Sequence, residues 1–107
     1  MTLIHEVRAG GIVLNETPEA SVVTLWGEID IALRDEASAA LAGAFQRDLP
    51  VIVDASEVTF LDSAGIAFLV QLCRIGQDEG LSVTLHDPPA VVSEPLGTLH
   101  VDVPVAH

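Results

Sequence analysis

The sequence predicts a single α/β domain over residues 1–107, built as a mixed β-sheet of four to five strands packed with α-helices. Three observations predict it. A chain of 107 residues and 11.2 kDa holds one core, because single cores typically occupy about 100–150 residues. Half the residues are hydrophobic and the mean hydropathy is positive, which excludes disorder despite the charge, since disorder needs low hydrophobicity as well. The apolar period alternates between strand-like and helix-like segments in the order strand, strand, helix, strand, helix, strand, helix.

Leu3, Ile4 and Val7, then Ile12, Val13 and Leu14, form a first extended region that Gly10-Gly11 interrupts, predicting a bulge or tight turn there. Asn15 to Ala20 contains Pro18 and reads as a loop. Ser21 to Trp26 is rich in Val and Thr and pairs with the first strand as an antiparallel hairpin that Gly27 ends. From Asp35, the residues Ala37, Ala40, Leu41, Ala44 and Phe45 recur every three or four positions, as an amphipathic helix requires, and Pro50 stops it. Val51-Ile52-Val53 is a β-branched run without alternation, which predicts a strand buried on both faces, ended by Asp54. Ser63 caps a second helix, Ala64 to about Glu79, closed by Gly80. Ser82 to His86 is a further strand and Asp87-Pro88-Pro89 a turn. A short third helix starts at Ala90, limited by Pro95 and Gly97, and Val101 and Val103 supply an edge strand beside Pro104.

Sixteen acidic residues face four arginines and no lysine, for a net charge of −12. Nucleic acid and anionic membranes are therefore excluded as partners, since phosphate binding needs clustered cations, and a basic protein partner is favoured. The single Cys73 excludes an internal disulfide scaffold. The first ten residues carry His5, Glu6 and Arg8 and no signal-peptide core, and no apolar run approaches the roughly 18 residues of a membrane span. A soluble cytoplasmic protein is expected.

The informative stretch is Val51-Ile52-Val53-Asp54 followed by Val58-Thr59-Phe60-Leu61-Asp62-Ser63-Ala64-Gly65. A buried strand leads within a few residues to a serine that opens a helix, at the carboxyl edge where open α/β sheets carry their functional groups. Read alone, Ser63 is an N-cap. Taken with Gly27-Glu28-Ile29-Asp30 after the earlier strand, this pattern resembles the STAS domain of anti-sigma factor antagonists, over about Val22 to Val92. The resemblance implies partner switching. The unphosphorylated antagonist binds an anti-sigma factor that is a serine kinase of the ATP-binding type and releases the sigma factor. Phosphorylation at the position of Ser63 abolishes binding, and a serine phosphatase restores it. The protein is then a switched ligand, without catalysis, cofactor or metal.

The resemblance marks Ser63 as the phosphoacceptor and Asp30, Asp62, Ala64, Gly65 and Phe68 as partner-binding residues. Asp30 either meets a basic group of the kinase or orders the loop before the first helix, and Asp62 is either a site residue or a turn residue. Gly65 allows close approach of a partner or packs the helix tightly on the sheet. Asp30, Asp54 and Asp62 are expected to cluster near the helix start and add to a negative field. The second helix carries one stripe of Ile66, Leu69, Val70 and Cys73 and another of Ala67, Phe68, Leu72 and Ile75. That is more than one core-facing surface demands, so one stripe is expected to remain open as a docking surface unless a later helix covers it.

Other chemistries find little footing. Ser63 lies outside any Gly-x-Ser-x-Gly elbow, and His5, His86, His100 and His107 have no reason to converge on it. There is no His-x-x-x-His or Cys-x-x-Cys pairing for a metal. The alternatives to partner switching are a STAS scaffold or ligand-sensing module without phosphorylation, as in multiprotein stress complexes, and a partner that titrates an anti-sigma factor constitutively. The short region after Pro89 departs from relatives that end in a long helix.

Overall fold

The structure, a computed structural model, describes residues 9–107. Strands β1 (Gly10–Glu16) and β2 (Ser21–Ile29) form the expected antiparallel hairpin, in continuous register from Gly10 opposite Gly27 to Glu16 opposite Ser21. Gly10-Gly11 is neither bulge nor turn. Both residues are paired, and glycine is required by crowding: a Cβ on Gly10 would lie 2.0 Å from the Glu28 carbonyl oxygen, and one on Gly11 2.5 Å from Trp26 Nε1. Leu3, Ile4 and Val7 lie outside the described residues. Gly27 does not end β2. It takes φ +68 beside a register shift, and the strand resumes through Ile29. The extra residue at that shift belongs to the neighbouring strand, and Gly27 supplies the left-handed backbone with which β2 continues past it.

A 3-10 turn (Ile31–Leu33) leads into α1 (Arg34–Gln46), followed by β3 (Val51–Leu61), α2 (Ser63–Glu79), β4 (Val83–His86), α3 (Ala90–Thr98) and β5 (Val105–Ala106). Strand order is β1-β2-β3-β4-β5, with β1 antiparallel and the other neighbours parallel. Each crossover steps one strand in the same direction, so the right-handed rule puts α1, α2 and α3 on one face. Burial agrees. Val23, Leu25, Val51, Val53, Val83 and Leu85 are buried under the helices, while Val22, Thr24, Trp26, Ile52, Asp54 and Thr84 on the opposite face stay partly exposed. The expectation of a strand buried on both faces is therefore wrong for β3. Its unalternating Val51-Ile52-Val53 run covers a core on one side only, because one-directional crossovers put all three described helices on that side.

Strand β3 also runs far past Asp54. It carries two extra residues relative to β2, one between the Thr24–Asp54 and Trp26–Glu57 pairs and one between the Gly27–Val58 and Glu28–Phe60 pairs. The polar interior Asp54-Ala55-Ser56-Glu57 reads locally as a strand end, yet pairing with β2 holds it in the sheet. Asp54 is satisfied on the spot, accepting from Ser56 Oγ at 2.8 Å and Ser56 N at 3.2 Å. Seven residues of extended chain, on the order of 20 Å, separate it from Leu61, so Asp54 does not join Asp30 and Asp62.

Helix α3 continues through Pro95 and Gly97. Burial of Val92 and Leu96, at 0% and 3% exposure, contributes about 1.5–3 kcal/mol for each side chain, which offsets the roughly 3 kcal/mol of an interior proline. Val101 and Val103 then pack against the core rather than forming the edge strand, which falls two residues later at Val105–Ala106. There Leu85 N–H donates to the Pro104 carbonyl at 2.8 Å and Asp87 N–H to the Ala106 carbonyl at 2.7 Å.

Arg47, just after α1, ties the opposite end of the sheet together. Its guanidinium donates to the Ala20 carbonyl at 2.7 Å, to Ser21 Oγ at 3.1 Å and to the Thr17 carbonyl, and lies 3.5 Å from Glu16. Ser21, fully buried at the start of β2, is satisfied by this contact. Among the described residues, no helix is long and apolar enough to cross a membrane, and no group of three or more His, Cys, Asp or Glu side chains is placed to hold a metal.

Candidate functional site

The parallel strands β2 and β3 end side by side, with Ile29 opposite Leu61. Each hands its chain to a helical element through an aspartate. Asp30 has extended backbone and its Oδ1 accepts from Ala32 N–H at 3.0 Å, capping the 3-10 turn. Asp62, also extended, accepts from Gly65 N–H at 2.8 Å through Oδ1 and caps α2. Its Oδ2 accepts from Ile31 N–H at 3.2 Å, and its own N–H donates to the Ile29 carbonyl at 3.1 Å. Asp30 and Asp62 thus meet at one junction, separated by 32 positions in the chain. Both serve as caps: for Asp30 this is the local ordering of the loop that the sequence left open, whereas Asp62, expected as a site or turn residue, takes the cap of α2 instead.

This reassigns Ser63. The expected capping role belongs to Asp62, because the cap must sit in extended backbone one residue before the first helical position, and Ser63 is already helical. Among the described residues no hydrogen bond engages the Ser63 hydroxyl, and the residue is exposed. It stands at the positive end of a 17-residue helix as an uncommitted hydroxyl, where an added anion would meet free N–H groups and the helix dipole.

Ala64 is half-buried beside it, whereas Gly65 and Phe68, expected on the contact surface, are buried. A Cβ on Gly65 would lie 2.7 Å from both the Ile29 carbonyl oxygen and Leu61 Cδ1. Glycine is needed here to seat the first turn of α2 on the strand ends. Phe68 is 7% exposed and lines an apolar groove of about 470 Å³ between α1 and α2, together with Ile29, Leu33 and Ala67. Asp30, Ile31, Arg34 and Ala64 also line this groove. No stripe of α2 stays open: Phe68, Leu69, Leu72 and Cys73 are buried, Ile66, Val70 and Ile75 are half-buried, and only Ala67 is exposed. Helices α1 and α3 on the same face of the sheet cover both sides of it. The Cys73 thiol accordingly has its pKa raised by burial.

The exposed apolar residues near Ser63 come from other elements, and the sequence reading did not single them out. Ile31 in the 3-10 turn is 61% exposed, Phe60 near the end of β3 48% and Leu99 after α3 55%. Leu99 shares one shallow depression with Ser63, Ile66 and Val70, and another with Phe60 and Pro95. The Phe60 signal was present: adjacent Phe60 and Leu61 in one strand point to opposite faces, so one of them had to lie away from the core. Ile31 and Leu99 carry no such local mark.

Solved structures share this architecture. The chain superposes on an anti-sigma factor antagonist from Mycobacterium paratuberculosis with a TM-score of 0.71 and 23% identity, covering 91% of this chain and 85% of that one. It matches RsbS of Moorella thermoacetica, in a variant form, at TM-score 0.75 and 16% identity, covering 89% and 85%. The anti-sigma factor antagonist SpoIIAA in its unphosphorylated form gives 0.73 and 20%, covering 91% and 89%. At these identities the likeness shows a common fold. No curated protein sequence matches the chain. Residues 12–105 match the family model described as Mlab, STAS domain, and the chain belongs to the STAS domain family.

Proposed function

We propose that this STAS domain is an anti-sigma factor antagonist of the cytoplasm, a regulatory ligand rather than an enzyme. Unphosphorylated, it binds a serine-kinase-type anti-sigma factor and frees the sigma factor; phosphorylation of Ser63 ends the interaction, and a serine phosphatase restores it. The observation that carries this reading is the exposed Ser63 hydroxyl, free because Asp62 performs the capping. In the transfer step Ser63 Oγ bonds to the γ-phosphorus of ATP held by the kinase, the bond from that phosphorus to the bridging oxygen of ADP breaks, and the hydroxyl proton passes to a base of the kinase. The phosphatase reverses the change with water, returning the hydroxyl and releasing phosphate. The proposed contact surface joins Ser63, Asp30, Asp62 and Ala64 with Ile31, Phe60 and Leu99 at its margins, while Gly65 and Phe68 support it from beneath.

Phosphoserine adds about 1.5–2 negative charges to a surface already bearing Asp30 and Asp62. Desolvating that dianion in an interface, at a cost of about 3 kcal/mol, weakens binding on the order of a hundredfold. The test is incubation with ATP and the kinase captured by the Ser63→Ala protein, followed by mass spectrometry. Phosphate on Ser63 alone is expected. Phosphate elsewhere, or persisting in Ser63→Ala, overturns the reading. The groove between α1 and α2 favours a second reading, a ligand-sensing STAS module in which Ser63 is unmodified; equal partner affinities of Ser63→Glu and Ser63→Ala would favour it.

A further inference from the structure

Asp62 fastens two elements with one carboxylate. Oδ1 holds the first turn of α2 through Gly65 N–H at 2.8 Å, and Oδ2 holds the start of the 3-10 turn through Ile31 N–H at 3.2 Å. Its main chain completes the junction, the carbonyl accepting from Ile66 N–H at 2.9 Å and the N–H donating to Ile29. The remaining bonds at the 3-10 turn, Asp30 Oδ1 with Ala32 N–H, the Asp30 carbonyl with Leu33 N–H and the Ile31 carbonyl with Arg34 N–H, are internal to it and its junction with α1. The Oδ2 bond is the side-chain link between this turn and α2, and the residue it holds is the most exposed large hydrophobe among those described.

We infer that Asp62 is a clasp whose hold on Ile31 depends on the charge at residue 63, an inference that rests on Ser63 as the phosphoacceptor. A phosphate on Ser63 stands next in sequence to the Asp62 carboxylate, at a first turn of α2 where Asp62 holds the Gly65 N–H and those of Ser63 and Ala64 are left for the added anion. Two anions so close repel, and no described cation is paired with either: Arg47 is engaged with Glu16 at the other end of the sheet, and the Arg74 backbone lies eleven residues along α2, about 16 Å away. Arg34, on the groove rim beside Asp30, and Arg74, which lines the same shallow depression as Ser63, are the described cations that could compensate. Of the two Asp62 bonds, the longer and solvent-exposed one to Ile31 yields first, and the shorter, part-buried cap to Gly65 remains. Leu33, buried at 7% exposure, keeps the turn anchored, so the change is confined to Ile31 and Ala32. A partner then meets a displaced apolar contact as well as a new charge.

The test needs no partner. Phosphoserine is installed at position 63 during translation, and the rate of exchange of the Ile31 amide with water is measured by NMR in the modified and unmodified proteins. Loss of a bond of about 1 kcal/mol predicts roughly fivefold faster exchange at Ile31, with Gly65 unchanged. In Asp62→Asn, whose amide oxygen retains the cap without the charge, Ile31 exchanges fast before modification and phosphoserine adds no further change. Ile31 exchange that stays within about twofold on modification overturns the clasp, as happens if Arg34 or Arg74 neutralises the phosphate; so does a full phosphoserine effect that persists in Asp62→Asn. Because the phosphate is placed without a kinase, these outcomes judge the clasp alone, whereas failure of the kinase to modify Ser63 judges the phosphoacceptor assignment.

Discussion

The two ends of the parallel strands solve the same problem with opposite charges. At the amino ends, Arg47 gathers two loop carbonyls, Ser21 Oγ and Glu16 into a single knot, with Ser21 fully buried and Glu16 at the surface. At the carboxyl ends, Asp30 and Asp62 cap the helical starts, and because aspartates do this work the neighbouring serine is left exposed. A cation suits the first end, where carbonyls converge, and anions suit the second, where N–H groups do. One end holds the fold together, while the other leaves a serine hydroxyl exposed with apolar residues at its margins.

That contrast breaks most sharply under a charge at Ser63. Under the proposed function, Ser63→Glu is expected to weaken binding to the proposed anti-sigma kinase by up to about a hundredfold, while Ser63→Ala binds persistently; calorimetry with the purified partner reads both. Next comes Gly65→Val, whose side chain would enter space already filled by the Ile29 carbonyl and Leu61. Overpacking of this kind costs about 1–3 kcal/mol, visible as a lower midpoint in urea, and an unchanged midpoint would mean that α2 is not seated as described. Arg47→Ala should cost about 2 kcal/mol by leaving the Ala20 and Thr17 carbonyls and Ser21 Oγ without their charged donor, with partner binding per folded molecule unchanged. Arg47→Lys should not restore it, because an ammonium cannot span the fork. Smallest is the pair that separates cap from hydroxyl: Asp62→Ala should lose about 1 kcal/mol, and Ser63→Ala less than about 0.5 kcal/mol, by thermal unfolding. The reverse order would return the cap to Ser63.

Much of the architecture was legible because it rests on short-range regularities. The β1–β2 hairpin, the helical period of α1 and the closure of α2 at Gly80, with φ +70, depend on residues within a few positions of one another. Elements whose limits depend on distant partners were misjudged. Asp54 and Gly27 read as strand ends, yet β3 and β2 continue because each supplies the other's hydrogen bonds. Pro95 reads as a helix stop, yet α3 passes through it to bury Val92 and Leu96. At the site, the assembly of Asp30 with Asp62 was anticipated and the inclusion of Asp54 was not upheld. For Gly65 the tight packing on the sheet that the sequence left open is what the structure shows, whereas the choice between the two roles, and the burial of Phe68, turn on groups from β2, β3 and α1.

By itself, the sequence determined the alternation of strands and helices, the strongly acidic character and the placing of an Asp-Ser pair at a helix start, all properties of neighbouring residues. Only the tertiary structure decided which of that pair caps the helix, which face of the sheet is bare and which apolar residues surround Ser63. Those outcomes turn on hydrogen bonds such as Asp62 Oδ2 to Ile31 N–H and on helices packed to one side, contacts between segments some thirty residues apart that no local pattern encodes.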